Sequence, residues 1–341
     1  MFFSKEIGLD LGTSSILVYV EDKGIVVNEP SIVAYDTVSD KIISFGLEAH
    51  NMWGRAPEKI EVMRPLKNGV ISRYDMTLRM IRYFLHKACG NMFFQPGVTI
   101  CVPSGILESE LRLLGEAAKE AGANRVHFLE EPLAAAIGAG IDVTSPNGHM
   151  IVDIGGGTTD VAVVSVRGVV VSRSVRIAGD KFDEAIAQYV RKKHNVLIGD
   201  QTAEAIKIRV GAVYEHKNTK EIEVHGRCLA QGVPKTVKVT SREILEALMD
   251  PITAIIDTIC TVVEEIPTGL VEDVLRNGIT MTGGGSLIYG IDRLIEDVTG
   301  IKTRVAKDPI SCVAIGTGRA QEIGDLPETP SGLRRARPNG K

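Results

Sequence analysis

The chain has 341 residues, 44% of them apolar and 24% charged, with a formal net charge of −4. That length suits two domains, each able to bury its own core, and the slightly acidic balance offers no basic field to draw nucleic acid. No run approaches the ~20 apolar residues of a membrane span, so membrane contact is expected to be peripheral on a cytoplasmic chain. The five cysteines form no CxxC pair and are read as buried thiols in a reducing compartment. The seven histidines are scattered and form no ligand motif.

Taken in chain order, residues 7–13 and 16–20 read as strand, tight glycine turn, strand. Apolar runs follow near 31–35 and 42–45. Met76, Met80, Ile81, Phe84, Leu85 and Ala88 recur at helical spacing over 75–89. A buried strand at 98–102 ends at Pro103, and Ser104 is expected to cap a helix over about 105–121 that stops at Gly122. An alanine-rich helix start spans 132–138. Strands are predicted at 149–154, 161–166 and 169–171, helices at about 181–193 and 202–215, and short strands near 221–225 and 236–239. Thr240-Ser241-Arg242-Glu243 fits a capping box opening a helix over about 241–265, which Pro251 should kink or break. A strand at 279–282 and helices at about 286–298 and 311–322 complete an alternation that defines an α/β class. Residues 327–341, with three prolines and four basic side chains, read as a disordered basic tail, either solvated or touching anionic lipid.

Two segments repeat one idea. Asp10-Leu11-Gly12-Thr13-Ser14-Ser15 sits between apolar strands, and Asp153-Ile154-Gly155-Gly156-Gly157-Thr158-Thr159-Asp160 has the same setting 143 residues later. Glycine lets backbone N–H groups approach a phosphate, and the hydroxyls add donors. An aspartate beside phosphate repels it unless a hard cation lies between them; Mg²⁺ uses one or two carboxylates plus substrate phosphates. A lone DxGT is weak evidence, but the pair at domain-scale spacing predicts two loops clamping a triphosphate from both sides. GxxxxGK[ST] is absent, and neither glycine run fits GxGxxG before a helix, which disfavours P-loop and dinucleotide folds.

Three further features each admit two readings. Thr282-Gly283-Gly284-Gly285-Ser286 suits either a ribose or adenine lying on backbone or a plain strand-to-helix turn. Ala314 to Gly318, taken alone, is helix packing. Met92, Phe93 and Phe94 in a turn-rich loop, with Phe2 and Phe3 at the N-terminus, form either an interaction site or part of the core.

Together these pieces resemble the actin, Hsp70 and hexokinase ATPase superfamily over almost the whole chain. Within it, Gly24 to Ser31, Arg64 to Ile71, Leu129 to Pro132, Ala178 to Asp183 and Thr202 to Lys207 are similar to segments of the MreB family. The resemblance implies an actin-like (ribonuclease H-like) two-domain ATPase fold with a nucleotide cleft between the domains. Domain I would take 1–140, with 316–326 returning to it and a small subdomain at about 29–62. Domain II would take 141–315, with a small subdomain at about 177–250. Asp10 and Asp153 would hold Mg²⁺. Gly12, Thr13, Ser14, Ser15, Gly155, Gly156 and Gly157 would cradle the phosphates of ATP, and Glu131 and Thr158 would position the attacking water. Gly179, Asp180, Glu204 and Lys207 would line the nucleoside end, with Gly283, Gly284 and Gly285 against the adenosine.

Without the resemblance, Glu131 also reads as a helix N-terminal carboxylate, and Glu204 and Lys207 as a solvated pair. One departure is Ser14-Ser15, where the family often has Ala-Asn; serine still donates. The resemblance further implies a slow ATPase that forms paired protofilaments with itself on the inner face of the cell membrane, inserting Met92, Phe93 and Phe94. It would scaffold cell-wall elongation and rod shape with transmembrane partners such as RodZ. Rival readings are a small-molecule kinase of the superfamily and an Hsp70-like ATPase.

Overall fold

A computed structural model describes residues 6–90, 95–215 and 218–324. The first half runs β1 (Glu6–Leu11), β2 (Ser15–Val20), β3 (Gly24–Pro30), β4 (Val33–Asp36), β5 (Lys41–Phe45), α1 (Gly46–Met52), β6 (Ile60–Met63), β7 (Leu66–Lys67), β8 (Val70–Ile71), α2 (Tyr74–Cys89), β9 (Gly97–Val102), α3 (Glu108–Ala121), β10 (Arg125–Glu130) and α4 (Glu131–Gly138). The second runs β11 (His149–Ile154), β12 (Thr159–Ser165), β13 (Gly168–Val175), α5 (Gly179–His194), β14 (Val196–Leu197), α6 (Asp200–Val210), β15 (Glu221–Cys228), β16 (Pro234–Thr240), α7 (Ser241–Glu264), α8 (Thr268–Asn277), β17 (Ile279–Thr282), α9 (Ile291–Thr299), β18 (Thr303–Val305) and α10 (Cys312–Ile323).

The echo in the sequence is an echo in the fold. One five-stranded sheet is ordered β3-β2-β1-β9-β10 and the other β13-β12-β11-β17-β18. The middle strand of each, β1 or β11, pairs antiparallel on its hairpin side and parallel on the other. All residues of β9 and of β12 are buried, as expected where helices cover both faces of a sheet. Each sheet has its own core. Leu9, Ile16, Met80, Phe84 and Ile100 centre the first; Val152, Val163, Phe182, Ile206, Ile255 and Met281 centre the second. Smaller sheets, β5-β4-β6 and β14-β15-β16, extend from the two halves.

Between the halves, α4 and α10 lie against each other. Leu133, Ala134, Ala135, Ala136, Val313 and Ala320 share a cluster with Ile151 and Val164 of the second sheet. The approach is backbone-close: a Cβ added to Gly316 would lie 1.8 Å from the Ala134 carbonyl oxygen, and one added to Gly138 would lie 1.8 Å from that of Cys312. The small residues of 314–318 are therefore a packing surface.

Several local expectations change. Ser104 caps no helix. α3 starts at Glu108, where the Glu110 carboxylate accepts the Leu107 N–H at 3.1 Å. Ser104 instead donates its N–H to Asp160 Oδ1 at 2.9 Å and its hydroxyl to Glu130 Oε2 at 3.1 Å. α7 runs unbroken through Pro251, because its stripe of Ile244, Leu248, Ile252, Ile255, Ile259 and Val262 is buried and outweighs one lost hydrogen bond. α6 ends at Val210, short of 215. The third glycine run opens a 3₁₀ turn, Gly284–Leu287, ahead of α9. β10 and β18 escaped the periodicity: β10 exposes Arg125 and His127 at the sheet edge, and β18 has only three residues. Phe2, Phe3, Met92, Phe93, Phe94 and the 327–341 tail lie outside the described residues.

Candidate functional site

Each sheet ends its middle strand in the same way. Asp10 is the penultimate residue of β1 and Asp153 of β11, and a glycine turn follows each. Because the two halves face each other, so do the turns. A Cβ on Gly156 would lie 2.1 Å from Ser14 Oγ, and one on Gly157 would lie 2.5 Å from Thr13 Oγ1 and 2.9 Å from Asn68 Cα. No side chain fits at either position without displacing Thr13, Ser14 or Asn68, so glycine backbone of one loop faces the hydroxyls of the other at close approach.

Both loops are held from behind. Thr13 Oγ1 accepts the Gly69 N–H at 3.1 Å, and the Ser14 carbonyl accepts the Ser31 N–H at 3.0 Å. In the second loop, the Gly155 N–H donates to the Thr158 carbonyl at 2.9 Å. The Gly155 and Gly156 carbonyls accept from Gly179 and Asp180, at 3.2 and 2.8 Å. The second loop and the N-terminus of α5 thus form one unit.

Four acids gather beneath the loops. Asp153 and Asp160 are buried; Asp10 and Glu131 are half-buried. Loss of water pushes Asp10 up to about 7, helped by the charge of Asp153 and opposed by the Cys101 thiol, whose Sγ is 3.4 Å from Asp10 Oδ1. Burial likewise pushes Asp153 up to about 6, although Thr282 donates to its Oδ1 at 2.6 Å. Asp160 rises to about 7, again mainly from burial. Glu131, the first residue of α4, is held well above the carboxylate range by desolvation and by the charges of Asp160, Asp153 and Asp10. Thr158 is buried between the second loop and Gly69, its Cγ2 lying 3.5 Å from where a Cβ on Gly69 would stand.

This donor set fits a hard divalent cation. Among the described residues no three acid, histidine or cysteine side chains make a closed metal cage. Mg²⁺ needs none, because it uses one or two carboxylates and completes its shell with water and phosphate. Carboxylates raised by burial lack the positive charge such an ion supplies.

At the α5 end, Lys207 is not half of a solvated pair. Its Nζ donates to the Gly179 carbonyl at 3.1 Å and to Asp183 Oδ2 at 2.7 Å, with both side chains largely covered. Glu204 lies near enough for its charge to raise Asp183. Asp180 sends its carboxylate to Arg64 of the other half, Nη1 to Oδ1 2.7 Å. Of the third glycine run, a Cβ on Gly283 would meet the Ile154 carbonyl oxygen at 2.3 Å and one on Gly285 the Ile154 side chain at 2.3 Å. Gly284 is exposed, and a Cβ there would meet only Ile310 Cγ1, at 4.0 Å. Two of the three glycines therefore serve close packing beside Asp153, and Gly284 alone presents a free surface.

The sequence motifs assign no part in this site to Cys101, Asp160, Asp183 or the Thr282 hydroxyl, and Ser104 reads there only as a helix cap. Asp160 and Asp183 stood inside quoted motifs, and their burial was the missing signal. Cys101, Ser104 and Thr282 reach the site only through sheet pairing and loop crossing.

Paired sheets of this topology, with facing Asp–Gly turns between them, define an actin-like ATPase fold. The comparisons agree. The MreB/Mbl protein family model matches residues 4–328. The cell shape-determining protein MreB of Escherichia coli (strain K12) is 46% identical over 330 residues, 95% of each chain. MreB 5 of Spiroplasma citri bound to AMPPNP superposes with a TM-score of 0.90 at 37% identity, covering 94% of this chain and 97% of that one. A chain of the MamK double helical filament has the same fold, with a TM-score of 0.81 at 22% identity over 95% and 99% of the two chains. The chain belongs to the MreB/Mbl family.

The raised acids carry a pH signature. A carboxyl whose folded pKa exceeds its ordinary 3.8 binds more protons when folded across the interval between the two values. The stability it contributes is present below about 3.8 and lost as pH rises through about 7 for Asp10 and about 6 for Asp153. Without metal or nucleotide, Asp10→Asn should therefore gain thermal stability relative to wild type between pH 5 and pH 8. Melting curves at the two pH values measure this, and a constant difference would contradict the burial account.

Proposed function

We propose that this chain binds ATP with Mg²⁺ between its two halves and polymerises into actin-like filaments that determine cell shape. The observation that carries the reading is the pair of glycine- and hydroxyl-bearing turns, each following a strand-end aspartate, that face each other at close approach. Membership of a cell shape-determining family and a nucleotide-bound relative of the same fold support it.

In this reading the chain divides into domain I (1–140 with 316–326) and domain II (141–315). The N–H groups and hydroxyls of residues 12–15 and 155–158 cradle the phosphates. Asp10 and Asp153 would hold Mg²⁺, which would supply positive charge opposite the phosphate oxygens. Glu131 accepts a hydrogen bond from the attacking water and Thr158 fixes its position, because phosphoryl transfer depends on alignment and charge stabilisation more than on covalent help. Gly179, Glu204 and Lys207 face the nucleoside, with Gly284 offering backbone to the adenosine. Hydrolysis is slow and regulates assembly.

Sedimentation tests the polymer: pelleting that depends on ATP·Mg²⁺ is expected, and a chain that stays in the supernatant throughout contradicts it. We assign the filament to the inner membrane face, beside the cell-wall elongation machinery and transmembrane partners such as RodZ. Among the described residues no helix is long and apolar enough to cross a membrane, so this contact is peripheral. Phe93→Ser with Phe94→Ser should lower liposome binding while ATP binding persists. Vesicle co-flotation checks this, and undiminished flotation removes the loop from the membrane contact.

A further inference from the structure

We propose that Arg64 and Asp180 form a clasp across the mouth of the cleft, and that its opening sets how fast a bound nucleotide leaves. The inference rests on the nucleotide reading above. Arg64 lies between β6 and β7 in the first half, and Asp180 in the first turn of α5 in the second. Their ion pair, Nη1 to Oδ1 2.7 Å, is about three-quarters covered on both sides. The guanidinium also lies over the Trp53 ring, 5.7 Å from its centroid, a cation–π contact.

Three observations make this pair more than a surface ion pair. First, Asp180 is tied to the phosphate-facing backbone, since its own N–H donates to the Gly156 carbonyl at 2.8 Å. Continuous contact therefore runs from the second glycine loop through Asp180 and Arg64 to Trp53, which caps the C-terminus of α1. Second, a parallel link joins the same two regions: Gln201 Nε2 at the start of α6 donates to the His50 carbonyl of α1 at 2.9 Å. Third, Arg64 Nε is buried with no hydrogen-bond partner among the described residues. Forming the clasp leaves that donor unsatisfied, and opening it returns the donor to water. The contact is thus balanced between two states, as a release element must be. The floor of the cleft differs, because α4 and α10 join there by close apolar packing that suits a hinge.

Trp53 is the only tryptophan of the chain, so its emission reports the guanidinium stack. The experiment is stopped-flow release of a fluorescent ATP analogue from the full-length protein with Mg²⁺, chased with ATP. Arg64→Ala should release it roughly fivefold faster, the effect of losing an ion pair worth up to ~1 kcal/mol. Asp180→Ala should be at least as fast, and the double variant no faster than the quicker single one. Arg64→Lys, which keeps charge but loses the planar stack, should fall between wild type and Arg64→Ala. Equal release from wild type and Arg64→Ala, or strictly additive single effects, overturns the clasp. If wild type binds no analogue, the nucleotide reading fails and the clasp is judged on Trp53 alone. An emission shift in nucleotide-free Asp180→Ala then supports it, and an unchanged spectrum overturns it.

Discussion

Glu131→Gln is expected to slow ATP turnover by about a hundredfold, the scale of losing one positioned base, while nucleotide binding persists. Glu131 opens α4 at the point where β10 ends, within reach of the charges of Asp160, Asp153 and Asp10. Desolvation and the charges of three neighbouring acids push its pKa well above the carboxylate range. That shift leaves less of the ionised form to pull on a water proton. A cation held by Asp10 and Asp153 would remove part of the negative charge, lower the Glu131 pKa and free the carboxylate to orient water. Catalytic competence is then coupled to occupancy of the cleft. The rival role, a carboxylate favoured by the helix dipole, predicts something different: glutamine would cost only ~0.3–1 kcal/mol of stability and leave turnover intact. Single-turnover phosphate release separates the two, and an undiminished rate would remove Glu131 from the chemistry.

Gly316→Val should be the most destabilising substitution at the floor of the cleft, costing about 3 kcal/mol or more as overpacking. The contact it breaks is backbone to backbone, since even a Cβ would stand 1.8 Å from the Ala134 oxygen and 2.9 Å from the Gly138 nitrogen. No rotamer relieves that, so α4 and α10 must separate. The cluster of Leu133, Ala134, Ala135, Ala136 and Val313 would open with them. Gly269→Ala in α8 is the control, because nothing lies within 4 Å of its added Cβ. It should be neutral or stabilising by about 0.5–1 kcal/mol, because alanine restricts the unfolded chain. Urea denaturation compares the two. A Gly316 variant as stable as wild type would mean that the helices are not locked together.

The two Asp–Gly turns were legible because their pattern is local. An aspartate at a strand end, then glycines and hydroxyls, is a rare run, and its repetition after 143 residues exposed the duplication before any strand pairing was known. What stayed hidden was assembled by the fold. Arg64 and Asp180 are 116 residues apart, and nothing near Arg64 in the chain marks it as a partner for α5. Thr282 was read for its glycines, yet its hydroxyl binds Asp153 from 129 residues away. Ser104 has the composition of a cap and the position of a strap, since two buried acids claim its donors before a helix can. At Pro251 a local rule met a stronger tertiary one, because a half-exposed proline costs less than uncovering the apolar stripe of α7.

Occupancy of this cleft is expected to drive assembly. Electron microscopy of the purified protein on liposomes, with ATP·Mg²⁺ and without nucleotide, reads this out. Paired filaments lying on lipid only when nucleotide is present are the predicted result. Monomers that persist with ATP·Mg²⁺ across protein concentrations and salts would contradict it and turn attention to phosphate transfer onto a small molecule.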